Sequence, residues 1–231
     1  MTTVDQPTAA DFLARHKPSG MFTNEISQRI AARFAVAAHR AKLPPTALTL
    51  TNLILGLTAA VLVIGAHGRL PDVVIGLVAL VLWQVAYALD CADGQLARVT
   101  GTGSPAGARV DILCDVALQV ALVAAVSAVA VQHDPAPPAW LIATFAGTWM
   151  VNLVTSVLQQ GDSAASLVTS SSLPIRLIKL IRDYGAVVTV IALVLAFIPQ
   201  WTVWLMVAFT VVNGAFLLVS IAASARASLK V

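Results

Sequence analysis

Six apolar runs follow one another along this chain of 231 residues, and they limit its fold more than any other feature. A helix needs roughly 20 apolar residues to cross the hydrocarbon core of a bilayer. The runs cover Leu48–Ala66, Val73–Arg98, Gly107–Val131, Pro138–Gln159, Ile175–Ile198 and Trp201–Ala223. Hydrophobic residues make up 58% of the chain and charged residues only 11%, which is typical of a polytopic membrane protein. The sequence therefore predicts an all-α integral membrane protein with six transmembrane helices.

The segment before the first run predicts a helix that lies on the membrane surface. Four apolar residues recur every four positions, which places them on one helical face: Phe22, Ile26, Ile30 and Phe34. Arg29, Arg33 and Arg40 lie off that face. A basic amphipathic helix of this kind is typical of the lipid–water interface, and docking onto a soluble partner is the alternative.

The basic residues predict the orientation in the membrane. With six spans, thirteen of the fourteen Lys and Arg residues fall on one side, and only Arg69 falls on the other. The positive-inside rule then places both termini in the cytoplasm, with the protein in the inner membrane. We divide the chain into a loose N-terminal segment (1–21), an amphipathic juxtamembrane helix (22–42) and a six-helix transmembrane domain (43–231).

Four aspartates occur close together within this apolar sequence. A carboxylate at the centre of a spanning helix costs roughly 2.5–3.5 kcal/mol on insertion scales, so four of them need cationic compensation. Asp90 and Asp93 are three residues apart, and Asp111 and Asp115 are four apart, so each pair shares a helical face. Residues 101–107 are rich in Gly, Ser and Pro, which predicts a chain reversal between two antiparallel helices.

The two acidic pairs would therefore face each other across a small gap. Clustered carboxylate oxygens suit Mg²⁺ or Mn²⁺. Two such ions about 3.5–4 Å apart can stabilise both the attacking and the leaving oxygen of a phosphoryl displacement. A polar cluster that only joins the helices is the alternative explanation.

The spacing of these residues resembles the signature of the CDP-alcohol phosphotransferase family. Eight positions carry the resemblance: Asp90, Asp93, Gly94, Ala97, Arg98, Gly107, Asp111 and Asp115. The resemblance implies a CDP-linked alcohol as donor, very often CDP-diacylglycerol. An acceptor hydroxyl attacks its β-phosphate and CMP leaves, as in phospholipid biosynthesis. It also implies two Mg²⁺ or Mn²⁺ ions and a homodimer, and we predict no nucleic-acid partner.

The resemblance assigns roles to the four aspartates. Asp90, Asp93 and Asp111 are implied to be metal ligands. Asp115 is implied to be the catalytic base, because an acceptor hydroxyl is a weak nucleophile. Asp115 is also expected to contact the metal.

Seven residues are expected to bind the donor nucleotide: Thr46, Thr49, Gly94, Ala97, Arg98, Ser104 and Gly107. Thr46 and Thr49 belong to a helix entrance similar to the Pro-Asn-x-x-Thr entrance of the family, with Thr46 in place of the asparagine. Either threonine would also serve as an ordinary helix cap. Arg98 is expected to reach a phosphate, or to act only as a topology charge. Ser104 is alternatively a simple turn residue.

The acceptor is less constrained by the sequence. Arg176, Lys179 and Arg182 share one flank of the predicted fifth span and are candidates to bind it. They are equally suited to anchoring lipid headgroups. The predicted cytoplasmic end of the fourth span is polar but uncharged, which argues against an acceptor that carries its own phosphate.

Three other functions remain open at this point. The carboxylates would also suit a cation or proton transporter, although they cluster on one side of the predicted membrane. A non-catalytic scaffold would not need both the acids and the glycines of the motif. A transferase of the same family acting on a CDP-alcohol other than CDP-diacylglycerol is the third alternative.

Overall fold

The computed structural model describes residues 6–17, 19–133, 135–158 and 183–229, and all regular secondary structure in these ranges is helical. We number its α-helices in chain order: α1 (Ala9–Ala14), α2 (Gln28–Arg40), α3 (Pro45–Ala66), α4 (Asp72–Thr100), α5 (Pro105–Ala130), α6 (Ala139–Leu158), α7 (Tyr184–Phe197) and α8 (Thr202–Ser228). A π-helical stretch, Thr23–Ser27, leads into α2, and a 3₁₀ turn, Pro199–Trp201, leads into α8.

Several of these helices are long and apolar enough to cross a membrane by length and composition. In the described ranges these are α3, α4, α5 and the segment Pro199–Arg226. The apolar stretches Ala139–Val151 and Tyr184–Phe197 are shorter. The all-helical fold with membrane-length helices is therefore confirmed, whereas six spans and two cytoplasmic termini stay predictions. The predicted fifth run begins in residues that lie outside the described ranges.

The predicted reversal between the two acidic pairs is present, and local residues explain it. Helix α4 ends where Gly101 adopts a φ of 69°, a left-handed conformation that strongly favours glycine. Helix α5 starts after Ser104, whose hydroxyl accepts a hydrogen bond from the Gly107 amide at 3.0 Å. Pro105 occupies its first turn, where a missing N–H costs nothing.

Helix α3 lies between the two acidic helices, because it packs against both α4 and α5. Helix α4 also packs against α7 and α2, and α6 packs against α8. Small residues permit the closest of these contacts. A Cβ atom on Gly76 of α4 would lie only 2.5 Å from the backbone nitrogen of Ala196 in α7.

Helix α2 contacts α4 mainly through a face other than the apolar stripe of residues 22–34. The residues of α2 buried in the protein are mostly small: Ala31, Ala32, Ala35 and Ala38. Ile26 and Ile30 of the stripe are 44% and 38% exposed. Phe22 and Phe34 of the stripe are partly buried against Gly185 and the alanine cluster, so Ile26 and Ile30 are the stripe residues left for contact with a bilayer.

A buried polar contact attaches the start of this helical region to α7. Asp183 precedes α7 but does not cap it. Its carboxylate instead accepts hydrogen bonds from the Thr23 amide, at 2.9 Å, and from the Thr23 hydroxyl. The Thr23 hydroxyl also lies 3.1 Å from the Tyr87 hydroxyl of α4.

Candidate active site

Three of the four predicted metal ligands converge. Asp90 and Asp93 project from the last third of α4, and Asp111 projects from the second turn of α5. One carboxylate oxygen of each lies within 4.8 Å of one oxygen of each of the others. Since α3 packs against both helices, it fixes the distance across which the acidic pairs face each other.

Asp115 lies one turn further along α5 and is not a member of this group of three. It lines a cavity of about 190 Å³ together with Asp90. Asp115 is thus adjacent to the three clustered carboxylates and exposed to the space beside them.

Neutral hydrogen-bond donors on α3 hold two of the carboxylates. The Thr49 hydroxyl donates to Oδ2 of Asp93, and the Asn52 side-chain amide donates to Oδ1 of Asp90 at 3.3 Å. Thr49 and Asn52 are one turn apart and both are buried. Our sequence analysis missed Asn52, although a lone amide one turn after Thr49 within an apolar run was an available signal.

The described basic side chains compensate the negative charge of the cluster only at a distance, since Lys17 acts on Asp111 and Arg98 acts on Asp93 without direct contact. None of the four aspartates forms a salt bridge with a described basic side chain, and Oδ1 of Asp111 is buried without a hydrogen-bond partner. Buried carboxylates without compensation are strongly unfavourable. Oxygen ligands grouped in this way fit a hard divalent cation such as Mg²⁺ or Mn²⁺.

Arg98 lies one turn beyond Gly94, on the same helix as the first acidic pair. Its Nε donates to the backbone carbonyl of Arg15 at 2.6 Å. A Cβ atom on Gly94 would lie 2.9 Å from a terminal nitrogen of the guanidinium. The absence of a side chain at Gly94 therefore lets the guanidinium fold back along α4, within electrostatic range of Asp93.

A model of the CDP-alcohol phosphatidyltransferase family matches residues 42–213. The chain belongs to this family. The match begins just before α3 and ends within α8, so it includes the acidic cluster and helices α3 to α7 but not α1 and α2. A comparison with curated protein sequences finds no significant match, so the assignment rests on the family model. Membership supports transferase activity on a CDP-alcohol in a membrane lipid environment.

The other residues expected to bind the donor of this CDP-alcohol phosphatidyltransferase lie around the turn between α4 and α5. A Cβ atom on Gly107 would lie 3.2 Å from the Ser104 hydroxyl and 3.8 Å from the Thr46 hydroxyl. A Cβ atom on Gly103 would lie 3.9 Å from that of Ala97. Thr46, Ser104 and Gly107 are thus brought together. The Ser104 hydroxyl caps α5, which is a local structural role and agrees with the alternative that Ser104 is a simple turn residue.

The acceptor side of this family member is only partly described. Arg176, Lys179 and Arg182 lie outside the described residues. Tyr87, Gln119 and Tyr184 line the cavity beside Asp115, and our sequence analysis selected none of them. They come from three different helices, so no local spacing connects them.

Proposed function

We propose that this protein is a divalent-metal-dependent enzyme that transfers a phosphoalcohol group from a CDP-alcohol to an acceptor hydroxyl and releases CMP. The expected donor is CDP-diacylglycerol, so the product is a phospholipid or its precursor. The observation that carries the proposal is the convergence of Asp90, Asp93 and Asp111, none of which forms a salt bridge with a described basic side chain. Family membership supplies the reaction class.

The metal ligands in this proposal are Asp90, Asp93 and Asp111, with Asp115 completing the set for two ions. Bound there, Mg²⁺ or Mn²⁺ would neutralise the negative charge that develops on the diphosphate. Thr49 and Asn52 orient two of these carboxylates through neutral hydrogen bonds. Because the donors are neutral, they fix geometry without cancelling the charge that attracts the cation.

Asp115 acts as the general base. Its position on the cavity wall, beside Asp90, supports this role. The acceptor hydroxyl gives its proton to the Asp115 carboxylate, and its oxygen bonds to the β-phosphorus of the donor. The bond between that phosphorus and the bridging oxygen breaks, and CMP carries the bridging oxygen away.

The donor nucleotide binds near the turn between α4 and α5. Arg98 contacts a phosphate, and the lack of a side chain at Gly94 leaves room for the guanidinium and the nucleotide. Ala97, Ser104, Gly107, Thr46 and Thr49 complete this binding surface. The grouping of Thr46, Ser104 and Gly107 supports the assignment.

The proposed setting is the inner membrane, with six spans, both termini and the site facing the cytoplasm, and a homodimer as the assembly. The charge distribution supports the orientation. Arg176, Lys179 and Arg182 remain candidates for acceptor or headgroup contacts. A donor other than CDP-diacylglycerol is the alternative within the same reaction class.

The test is CMP release by the purified protein in liposomes that contain CDP-diacylglycerol. We expect turnover with a suitable acceptor, its loss in EDTA, and its recovery when Mg²⁺ or Mn²⁺ is added in excess. Turnover that persists in EDTA would contradict the metal assignment. Cation flux across sealed vesicles that lack any CDP-alcohol would favour a transporter instead.

A further inference from the structure

We propose that the cavity beside Asp115 binds the acceptor, and that the acceptor is a small, uncharged alcohol with several hydroxyl groups. This inference rests on the proposed transfer reaction and specifies its second substrate. The cavity is formed by residues of α3, α4, α5 and α7, with Asp90 and Asp115 on its wall. An acceptor bound there places a hydroxyl next to the proposed base.

Gln119 presents a hydrogen-bond donor at this cavity. Its side-chain oxygen accepts a hydrogen bond from the Trp149 indole N–H. An indole nitrogen only donates, so this contact fixes the amide orientation and leaves the NH₂ group as the free end. The NH₂ group has no partner among the described residues, and Gln119 lines the cavity.

Asn52 and Tyr184 add further polar groups. The Asn52 NH₂ group donates to Asp90, which leaves its carbonyl oxygen free to accept. The Tyr184 hydroxyl, which both donates and accepts, has no partner among the described residues. Together with Gln119 and Asp115, these residues offer donors and acceptors side by side.

The cavity wall mixes hydrogen-bond donors with hydrogen-bond acceptors, and this mixture discriminates between classes of acceptor substrate. A hydroxyl both donates and accepts, so it matches such a wall at each position. A phosphate only accepts hydrogen bonds, so it could pair with the Gln119 NH₂ group but not with the free carbonyl oxygen of Asn52, and no Lys, Arg or His is present among the described lining residues to balance its charge. An ammonium group only donates, so it could pair with the carboxylates, which the proposed metal ions already occupy, but it would leave the NH₂ group of Gln119 without an acceptor.

The remaining lining residues and the volume fit a compact polyol. The Trp83 indole N–H is already bonded to the Gly56 carbonyl at 3.3 Å, so this residue offers the cavity an apolar ring. An apolar ring suits the C–H face of a cyclic or branched polyol. The cavity volume of about 190 Å³ suits a compact acceptor of this kind.

The first experiment compares acceptors with the full-length protein in CDP-diacylglycerol liposomes. Radiolabelled myo-inositol and glycerol represent uncharged polyols, their monophosphates represent anionic acceptors, and ethanolamine and serine represent acceptors with an ammonium group. We expect kcat/KM to be at least tenfold higher for one of the uncharged polyols. A phosphorylated or ammonium acceptor with the highest kcat/KM would overturn the inference while leaving the proposed function intact. If no acceptor releases CMP, the proposed function fails, and the inference fails with it.

The second experiment tests the cavity itself. Gln119→Leu removes the free NH₂ group, and we expect KM for the best acceptor to rise roughly threefold to tenfold with an unchanged KM for the donor. Gln200→Leu is the matched control, because Gln200 is exposed in the turn before α8. An unchanged acceptor KM in a folded Gln119→Leu protein would show that the acceptor binds elsewhere. Gln119→Asn, which keeps the amide on a shorter chain, should lie between the two.

Discussion

The carboxylates at the two ends of α4 have contrasting environments. At its first residue, Asp72 is half-exposed, and its Oδ1 lies 2.8 Å from Nδ1 of His67. Near its other end, Asp93 is 6% exposed, accepts a hydrogen bond from the neutral Thr49 hydroxyl, and forms no salt bridge with a described residue. One end therefore places its acid against an imidazole, whereas the acids at the other end form no salt bridge within the described part of the chain.

The difference between these environments indicates which carboxylates of an apolar helix need a ligand. A half-exposed carboxylate beside an imidazole needs no ligand, because solvent and its partner stabilise it. Buried carboxylates that converge on one point are tolerated when something outside the chain supplies the positive charge. Aspartate thus makes a structural contact at one end of α4 and forms part of a candidate catalytic centre at the other.

The largest expected effect tests this contrast directly. Asp115→Asn removes the proposed base, and we expect CMP release to fall at least about a hundredfold. Asp111→Asn should cause a comparable loss because it removes a clustered ligand. Asp72→Asn on α4 is the matched control and should retain activity within about twofold. Near-normal CMP release by both site variants would refute the catalytic assignment.

A smaller loss is expected from the neutral donors that hold the carboxylates. Thr49→Val and Asn52→Leu should raise the metal concentration needed for half-maximal activity by about 10–100-fold. Activity should recover largely at saturating Mn²⁺, because the ligands themselves remain. Thr51→Val is the control, since the Thr51 hydroxyl is exposed and bonds only to the Ala47 carbonyl. Equal metal titrations for Thr49→Val and Thr51→Val would argue against a positioning role.

A further prediction concerns Gly94, the glycine beside the acidic pair of α4. In Gly94→Ala the new methyl group meets the flexible end of Arg98, so folding should tolerate it. The guanidinium must move, and we expect KM for the CDP-alcohol to rise about tenfold. Gly65→Ala in α3, where the space is open, should leave this KM unchanged. An unaltered KM for the CDP-alcohol in Gly94→Ala would show that Arg98 does not contact the donor.

The smallest effect on chemistry should come from Gly76→Ala. The methyl group would collide with the backbone of Ala196, so α4 and α7 must separate. Overpacking of this kind costs roughly 1–3 kcal/mol. We expect a lower melting temperature in detergent, with kcat changed less than in any site variant when assayed well below that temperature. A melting temperature equal to that of the wild type would show that this contact is not tight.

The sequence predicted the helices and the acidic motif well, because both depend on local spacing. The predicted chain reversal over residues 101–107 agrees with the structure, since Gly101 and Ser104 act through their own backbone and side-chain geometry. The periodicity of the aspartates was enough to place each pair on one face. These features need only the chain near them, which a linear sequence displays directly.

The sequence did not identify the partners that complete the site. Asn52, Gln119 and Tyr184 lie on separate helices, and only packing brings them to one cavity. The sequence also did not predict which face of α2 packs against the other helices. Small alanines are buried there, whereas the larger Ile26 and Ile30 are exposed.

By itself, the sequence determined that this chain is a helical membrane protein with a clustered acidic motif, because hydropathy and helical periodicity are properties of neighbouring residues. Only the tertiary structure decided that Asp90, Asp93 and Asp111 converge while Asp115 faces the adjoining cavity. The physical reason is that distances between helices depend on how α3 packs between α4 and α5, and no spacing within one helix encodes that packing.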